Sequence, residues 1–278
     1  MASNVVNKIV VSVSLVIYSY KPKDFKDLIF SLKDAIAVVS GYAEVVLYIV
    51  DNNENKTSEN LVVEAISSAG YQYEYHYIKT YKNSGYGHAH NLVIKNDTII
   101  SDYHIVCNPD IIFFEDTFKQ SLKYMDKNEN VGLLTPAVYD ENKVIQKMCK
   151  RNHTFMRVFS RRLPIPGFHK KLKVYSDYYE YSDKDYSQII EGVEFCTGCF
   201  MFFRSDALNS IKGFDERYFL YSEDADITRS ILASRWHTVY LPEFKVVHKW
   251  DRANKASIRF TLISIVSVFK YFWKWKFK

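Results

Sequence analysis

Three clusters of polar side chains interrupt apolar runs that have the composition of buried strands. Carboxylate oxygens are the ligands that hard divalent cations such as Mg²⁺ and Mn²⁺ prefer, and a positioned carboxylate can also remove a proton from a reacting hydroxyl. The sequence therefore offers candidate metal ligands and candidate general bases. The clusters are Asn108, Pro109 and Asp110 in a tight corner, Asp51, Asn52 and Asn53 after an apolar run, and Glu223, Asp224 and Asp226 further on.

The elements that must position these clusters alternate along the first hundred residues. Apolar runs at residues 9–17, 44–50 and 73–78 read as strands, each followed by a helical segment: residues 25–39, residues 59–69, and a third helix that begins near Gly87. This alternation predicts βαβ units and a mostly parallel sheet, whose ligands gather at the carboxyl ends of the strands. Four polar residues fall at such ends: Tyr18, Asp51, Asn83 and Asp110.

Length and composition limit the class of protein. A chain of 278 residues with 47% hydrophobic residues can bury a large core as one domain with a short C-terminal appendage. The net charge of +5 is too weak for a general nucleic-acid binder, so no nucleic-acid partner is expected. Four irregularly spaced cysteines and no convincing secretory signal indicate a reducing, cytoplasmic compartment. A long polar stretch, residues 150–190, is interpreted as a mobile substrate loop.

Taken together, the motifs resemble those of the inverting family-2 glycosyltransferases of the GT-A fold, in particular bacterial rhamnosyltransferases of O-antigen and surface-polysaccharide synthesis. The resemblance runs from Val11 to His248. Each motif alone is weak, but they stand in the order typical of the family. They are Tyr18 and Ser19, then Asp51 to Asn53, then Asn83 to Asn91, then Asn108 to Asp110, and finally Gly213 to Glu216 with Glu223 to Asp226.

The resemblance implies an α/β protein with a Rossmann-like, mostly parallel central sheet flanked by helices. Residues 1–254 would form the transferase domain, with a nucleotide-binding half at 1–110 and an acceptor and catalytic half at 111–254. Its partners would be a dTDP- or UDP-sugar and a saccharide acceptor linked to polyprenyl diphosphate. The family resemblance and the absence of a secretory signal place the protein in the cytoplasm, at the inner face of the cell membrane.

The nucleotide would contact the strand ends. The resemblance assigns Asp51 to the pyrimidine or ribose, although a turn or helix cap explains the same residue type. Gly85 would allow close backbone approach and Asn91 would face ribose or phosphate, with an ordinary glycine-rich turn as the alternative. The full predicted set is Tyr18, Asp51, Asn53, Gly85, Asn91 and Asn108.

A divalent metal, Mg²⁺ or Mn²⁺, would neutralise the diphosphate leaving group. Asp110 is the predicted ligand, and the resemblance suggests His248 as the second. Asn108 departs from the family pattern of two carboxylates flanking one residue, which predicts modest metal affinity. The alternatives are that Asp110 is a plain turn residue and that His248 is structural.

Asp224 matches the position of the family's general base, with Glu223 and Asp226 as pocket neighbours. The alternative is a solvated acidic first turn of a helix, where acidic residues are favoured in any case. The resemblance places Gly198 in the floor of the pocket. Cys196 and Cys199 have the spacing of half a zinc site, but no second pair exists, so zinc is not expected.

The C-terminal segment, residues 255–278, mixes aromatic and basic side chains. Its uncharged stretch from Phe260 to Phe269 is ten residues long, whereas about 20 are needed to span a bilayer. The composition predicts an amphipathic helix at an anionic membrane surface, and the alternative is a helix packed on the core or in a dimer interface.

The leading donor is dTDP-rhamnose, and its rivals are UDP-galactose, UDP-glucose and other UDP-sugars. A nucleotidyltransferase would need a glycine-rich, basic loop after the first strand, and residues 18–23 do not form one. A non-catalytic sugar-binding protein is the third possibility, because Asn108 departs from the metal motif.

Overall fold

The computed structural model describes residues 8–18, 20–54, 58–154, 177–249 and 258–276. A ten-stranded sheet forms its centre, and a separate two-stranded sheet lies beside it. The main sheet has the strand order β3-β2-β1-β4-β11-β6-β12-β5, with β7 paired to β6 and β9 paired to β12. The α/β class predicted from the alternating pattern is confirmed. Residues 155–176 of the predicted substrate loop lie outside the described residues.

The strands are β1 Ile9–Ile17, β2 Ala43–Asp51, β3 Tyr75–Lys79, β4 Tyr103–Cys107, β5 Ile111–Phe113, β6 Val131–Tyr139, β7 Ile145–Gln146, β8 Cys149–Lys150, β9 Ile190–Glu191, β10 Phe195–Cys196, β11 Phe200–Arg204 and β12 His237–His248. The helices are α1 Pro22–Val39, α2 Ser58–Ala69, α3 Tyr86–Ile94, α4 Thr117–Lys127, α5 Ser205–Ser210, α6 Glu223–Leu232 and α7 Ile258–Lys274. The predicted strand at residues 9–17 matches β1, and the predicted helix at residues 25–39 begins three residues earlier, at Pro22.

The first half of the sheet is parallel. β1 pairs with β2 and β4, and the register sets Ile17 opposite Asp51 and Leu15 opposite Cys107. These strands are β-branched, apolar and buried on both faces, as expected for a parallel strand covered by helices. Because their carboxyl ends meet at one edge, Tyr18, Asp51 and Asn108 emerge near one another.

The second half of the sheet brings distant residues to the same edge. β11 runs antiparallel between β4 and β6, and β12 runs parallel to β6. The end of β12 also pairs antiparallel with β5, which sets His248 opposite Ile111. Because Ile111 follows Asp110 directly, this pairing places His248 close to Asp110, although His248 and Asp110 are far apart in the chain.

The helices cover the sheet through apolar faces with helical spacing. α1 begins at Pro22, whose fixed φ and missing N–H suit the first turn of a helix. Its buried face packs on α2, α4 and β5. That face consists of Phe25, Leu28, Ile29, Leu32, Ala35, Ile36 and Val39. Loss of a large side chain from it, such as Leu32→Ala, costs about 2–5 kcal/mol by cavity formation.

Candidate active site

A cavity of about 500 Å³ opens at the carboxyl ends of the parallel strands. Five of the residues predicted from the sequence line it: Tyr18, Gly85, Asn108, Asp110 and His248. Aromatic rings form much of the remaining wall. They are contributed by Tyr20, Tyr86, Phe219, Tyr221 and Phe260, the last from α7.

A larger cavity, of about 700 Å³, is lined by Ser12, His104, Lys95 and Lys212, among others. It contains none of the residues predicted to carry chemistry. Because the smaller cavity joins the acidic corner to the strand ends where ligands of parallel sheets bind, we assign the active site to the smaller cavity. We call it the strand-end cavity.

The acidic corner of the strand-end cavity is formed by Asp110 and His248. Asp110 Oδ2 lies 3.2 Å from His248 Nε2, and the Asp110 carbonyl accepts a hydrogen bond from the Lys249 N–H at 3.1 Å. Asp110 Oδ1 is buried and accepts no hydrogen bond within the described residues. A buried carboxylate oxygen without a donor is costly unless a cation or water completes it.

The charge state of His248 follows from its neighbours. Burial disfavours the protonated ring, but the Cys199 sulfur and the Asp110 carboxylate outweigh burial and raise the pKa of His248 to about 10. His248 is therefore protonated at neutral pH in this structure and forms an ion pair with Asp110. A metal ion bound at the corner would replace that proton, since only neutral imidazole is a ligand.

The corner fits a divalent cation that arrives with a diphosphate. Asp110 and His248 supply one carboxylate and one imidazole. Across the described ranges no group of three or more His, Cys, Asp and Glu side chains is arranged to hold a metal ion. Mg²⁺ and Mn²⁺ sites of this kind complete their coordination with substrate phosphate oxygens and water.

The two residues that precede α6 have strained backbone. Tyr221 and Ser222 have φ values of 69° and 67°, in the left-handed region that side chains disfavour. Each such residue costs about 1–3 kcal/mol and persists where the surroundings impose it, often at functional sites. These two residues lead into Glu223 and Asp224, the first residues of α6.

Asp224 is held by backbone donors. Its Oδ2 accepts a hydrogen bond from the Gly198 N–H at 3.1 Å. Burial raises the pKa of Asp224, and the Gly198 N–H and the Lys150 cation oppose that rise. A carboxylate with a raised pKa is a stronger base than an exposed one, which suits removal of a proton from a sugar hydroxyl.

Glu223 is buried beside Asp224. Its Oε2 has no hydrogen-bond partner among the described residues. Burial and the neighbouring negative charge of Asp224 raise the pKa of Glu223 to about 8. Burial raises the pKa of Asp224 as well, so the two neighbouring carboxyl groups disfavour carrying two negative charges together.

Asp51 does not line the strand-end cavity. Its side chain is 0% exposed, and its carboxylate accepts hydrogen bonds from Tyr77 Oη at 2.5 Å, Lys79 Nζ at 2.9 Å and the Asn53 N–H at 2.9 Å. Asn53 in turn donates to the Tyr18 carbonyl at 2.8 Å. In this structure Asp51 and Asn53 join the ends of β1, β2 and β3 through these hydrogen bonds. Nucleotide contact by either residue stays a prediction.

Gly85 and Asn91 contact the part of the chain that precedes α6. A Cβ on Gly85 would lie 2.4 Å from the Phe219 carbonyl oxygen, so the close approach that the glycine permits is to the protein backbone. Asn91 is buried, and its amide bonds the Phe214 N–H, the Phe214 carbonyl and the Glu216 carboxylate. The structure therefore places Asn91 away from the cavity, where it ties α3 to residues 213–216.

Asp226, predicted as a pocket residue, instead anchors the C-terminal helix. Its carboxylate accepts hydrogen bonds from Lys274 Nζ at 2.7 Å and Trp275 Nε1 at 2.9 Å. Because α6 turns Asp226 and Asp224 to different sides, one carboxylate contacts α7 while the other contacts Gly198. Asp226 is corrected from a cavity residue to a structural partner of α7.

Helix α7 has two different faces. Tyr271 and Phe272 are buried against the core, and Ser267 Oγ donates to the Leu220 carbonyl at 2.8 Å. The opposite face exposes an apolar stripe of side chains that are between 51% and 80% exposed: Ile258, Leu262, Val266, Phe269 and Trp273. No helix among the described residues is long and apolar enough to cross a membrane.

Sequence reasoning missed several residues of the cavity wall. Asn52 and Tyr86 stood inside recognised motifs, so a local signal existed, but no role was assigned to either. Asn52 accepts from the Ser84 N–H and donates to the Gly85 carbonyl, which joins two rims of the cavity. Phe260 gave no signal, because its place in the wall depends on how α7 docks.

With this geometry in place, the sequence was compared with known proteins. The profile of the family described as glycosyltransferase like family 2 matches residues 12–262. The chain belongs to this family. This is the family that the motifs predicted.

Two curated relatives of this chain are rhamnosyltransferases. Rhamnosyltransferase WbbL of Escherichia coli (strain K12) is 25% identical over 181 residues, which cover 62% of this chain and 63% of the relative. The N-acetylglucosaminyl-diphospho-decaprenol L-rhamnosyltransferase of Mycobacterium tuberculosis (strain ATCC 25618 / H37Rv) is 24% identical over 184 residues, 62% of this chain and 57% of the relative. The chain thus spans less than two thirds of either relative.

Solved structures share the fold. The mannosyltransferase PcManGT from Pyrobaculum calidifontis, in complex with GDP-Man and Mn²⁺, has a TM-score of 0.57 at 12% identity, covering 88% of this chain and 58% of its own. GalNAc-T7 with UDP, GalNAc and Mn²⁺ has a TM-score of 0.61 at 13% identity, covering 88% and 44%. At such identities the likeness concerns the fold alone, which is the GT-A fold predicted from the motifs.

Proposed function

We propose that this glycosyltransferase transfers one sugar, L-rhamnose from dTDP-rhamnose, to a saccharide hydroxyl with inversion at the anomeric carbon. The observation that carries the proposal is the strand-end cavity. It joins the Asp110–His248 corner to residues 219–221, which lead directly into Asp224. Asp224 is not itself among the residues that line the cavity, and it follows the wall residue Tyr221 by three positions. The proposal sets the general base at this end of the cavity.

Each part has a defined task in the reaction. Asp110 and His248 would hold Mg²⁺ or Mn²⁺, which when bound neutralises the charge that grows on the diphosphate. Asp224 takes the proton of the acceptor hydroxyl as its oxygen attacks the anomeric carbon. The bond from that carbon to the diphosphate oxygen breaks on the opposite face, which inverts the configuration. Glu223, whose pKa burial and the Asp224 charge raise, favours its protonated form beside the base.

The rhamnosyl donor is supported by the two rhamnosyltransferase relatives, one of which is named for an acceptor carried on diphospho-decaprenol. A polyprenyl-diphosphate-linked saccharide is accordingly the acceptor we propose, in the synthesis of a surface polysaccharide. A UDP-hexose is the competing donor, because the aromatic wall of the cavity offers no feature that separates thymine from uracil.

The first test measures thermal stability with dTDP, UDP, GDP and CMP, each with and without Mn²⁺. A ligand present at about 100 times its dissociation constant stabilises the folded state by about 2.7 kcal/mol. We expect a Mn²⁺-enhanced shift with dTDP, and Asp110→Ala to remove the enhancement, because the corner loses its carboxylate.

Asp126→Ala is the matched control, since Asp126 is exposed on α4 and does not line the strand-end cavity. It should leave the Mn²⁺ effect intact. A shift with UDP alone would transfer the proposal to UDP-hexose. The absence of a shift with every nucleotide would refute the assignment of the strand-end cavity to a nucleotide sugar.

We also propose that the exposed stripe of α7 lies on the inner face of the cell membrane. Residues 255–278 contain six Lys and Arg and no Asp or Glu, so the segment is uniformly cationic beside its apolar stripe. Each cation near an anionic surface contributes about 1 kcal/mol. Such contact would hold the enzyme beside a lipid-linked acceptor.

Sedimentation with vesicles tests the contact. The double variant Leu262→Glu, Phe269→Glu should lose most of its binding to vesicles containing phosphatidylglycerol, because it places two anions in the stripe. Ile100→Glu changes an apolar residue outside α7 that is even more exposed, and it should sediment as the unaltered protein does. Equal binding by all three proteins would exclude the stripe as the contact.

A further inference from the structure

Tyr86 connects three segments that surround the strand-end cavity. It is the first residue of α3, and its N–H donates to the Phe219 carbonyl at 3.0 Å. Its hydroxyl donates to the Gly198 carbonyl at 2.5 Å. Gly198 then donates its own N–H to Asp224 Oδ2 at 3.1 Å. The nucleotide-side loop, the 197–199 turn and the catalytic helix α6 thus meet through one side chain.

We propose that Tyr86 is a positioning residue for the general base, acting through the Gly198 backbone. The Tyr86 hydroxyl holds the carbonyl of the Gly198–Cys199 peptide, and the N–H that holds the Asp224 carboxylate belongs to the adjoining Thr197–Gly198 peptide. Tyr86 therefore acts through the Gly198 Cα, by restricting the backbone rotations that orient this N–H. The inference rests on the proposed function of Asp224, but it concerns a contact that can be tested without turnover.

The packing around Gly198 leaves little freedom for another arrangement. A Cβ at Gly198 would lie 3.2 Å from Asp224 Cβ and 3.5 Å from Tyr86 Cε1. Residue 198 is therefore enclosed between the base and the tyrosine ring. A Cβ here would meet the protein's own Asp224, which would have to shift by a few tenths of an ångström, while its distance to Tyr86 is an ordinary contact. The place of Gly198 in the floor of the sugar pocket stays a prediction.

The tyrosine hydroxyl is suited to this task because it remains a donor. Burial raises the pKa of Tyr86 well above its usual value, and the nearby Cys199 and Glu223 act in the same direction. The other groups that face Asp224 are Glu223 on the same helix, Lys150 of β8 and Cys196 of β10. Lys150 and the Gly198 N–H favour the ionised form of Asp224.

The experiment follows the Asp224 carboxyl carbon by NMR in protein labelled with ¹³C-aspartate. The Asp224 signal is assigned by its loss in Asp224→Asn. Tyr86→Phe keeps the ring and removes the hydroxyl. Because the Gly198 N–H is then less well oriented toward the ionised carboxylate, the titration midpoint of Asp224 should rise by about 0.5–1 pH unit, the size of effect expected when one hydrogen bond is weakened.

The matched control is Tyr240→Phe. Tyr240 is buried, and its hydroxyl also donates to a backbone carbonyl, that of Tyr186 at 2.9 Å. Both variants lose the same kind of hydrogen bond and a similar amount of stability. Only Tyr86→Phe should move the Asp224 midpoint, so a purely structural role of the hydroxyl is distinguished from positioning.

Gly198→Ala approaches the same contact from the other side. The added Cβ displaces Asp224 and should move the midpoint in the same direction as Tyr86→Phe. Where turnover is measured with dTDP-rhamnose, the Tyr86→Phe variant should show about a tenfold lower kcat, an unchanged donor KM and an acid limb moved to higher pH.

An Asp224 midpoint in Tyr86→Phe equal to that of the unaltered protein would overturn the inference, whatever the enzyme's activity. If instead the midpoint moves as expected while Asp224→Asn retains full turnover, positioning stands and the role of Asp224 as base fails. The two failures are therefore separate observations.

Discussion

Asp224→Asn is expected to lower the rate of sugar transfer by a factor of about 10²–10⁴, the usual contribution of a positioned general base. The substitution is nearly isosteric, and the remaining amide oxygen can still accept the Gly198 N–H bond. It removes the basic carboxylate together with one of the two oxygens that accept the Gly198 and Ala225 N–H bonds. We expect nucleotide affinity and thermal stability to stay close to those of the unaltered protein, because neither depends on proton removal.

The measurement is the initial rate of dTDP release from dTDP-rhamnose with an N-acetylglucosaminyl-diphospho-lipid acceptor. Asp206→Asn, an exposed acidic residue in the first turn of α5, is the control and should keep full activity. Full turnover by Asp224→Asn would require another base. Tight nucleotide-sugar binding with no turnover in either protein would favour a non-catalytic sugar-binding protein.

The pH dependence of the same reaction has a defined sign. Burial raises the pKa of Asp224, and only the ionised carboxylate accepts a proton. Activity should therefore rise with pH through a midpoint above the ordinary range of aspartate. An acid limb in the ordinary range of an exposed aspartate would contradict the buried, partly desolvated base.

Lys274→Met is expected to destabilise the fold by about 3 kcal/mol, because it removes one partner of a buried ion pair. The Asp226 side chain is 2% exposed, and Lys274 lies 2.7 Å from its Oδ2 and 3.0 Å from Asp215 Oδ2. Without the lysine, two neighbouring carboxylates face each other at the junction of α6 and α7. Methionine keeps the apolar stem, so the loss reports the charge.

The cost of Lys274→Met should grow with pH. Burial already raises the pKa of Asp226 above its unfolded value, and loss of Lys274 raises it further. A group whose pKa is raised on folding favours the folded state when protonated, and that benefit disappears as pH rises through the folded pKa. The penalty should therefore be smaller in acid than at neutral pH.

Chemical denaturation at two pH values measures this penalty. Lys276→Met, which removes an exposed lysine two residues further on, is the control and should cost little. The double variant Lys274→Met, Asp226→Asn should recover part of the loss, as expected for coupled neighbours. Equal, small effects of the two lysine substitutions would show that the pair does not hold α7.

The positions of the first three strands and of the first three helices could be predicted from the sequence. Residues 9–17 alternate and cluster in a way that only a buried strand satisfies, and β1 occupies that range. The polar residues directly after such strands must then lie at one edge of the sheet. For this reason Asp110 could be assigned to the cavity before any contact was known.

The roles of individual polar side chains could not be predicted in the same way. Asn91 and Asp226 were assigned to the cavity because their motifs surround it. Asn91 instead bonds Phe214, and Asp226 instead bonds Lys274. Both residue types make good structural partners and good ligand contacts, so type and spacing alone left the choice open.

The sequence by itself determined the α/β alternation, the strand ends and the acidic start of α6, because these depend on patterns within ten to twenty neighbouring residues. Only the tertiary structure decided which partner each carboxylate meets. The Asp110–His248 pair depends on β12 pairing with β5, and the Gly198 carbonyl is bonded by Tyr86, 112 residues away. Helix α7 contributes Phe260 to the cavity wall, and Asp226 bonds Lys274 near the other end of that helix. Such contacts join segments that are distant in sequence, and the local pattern of one segment does not indicate which other segment it will contact.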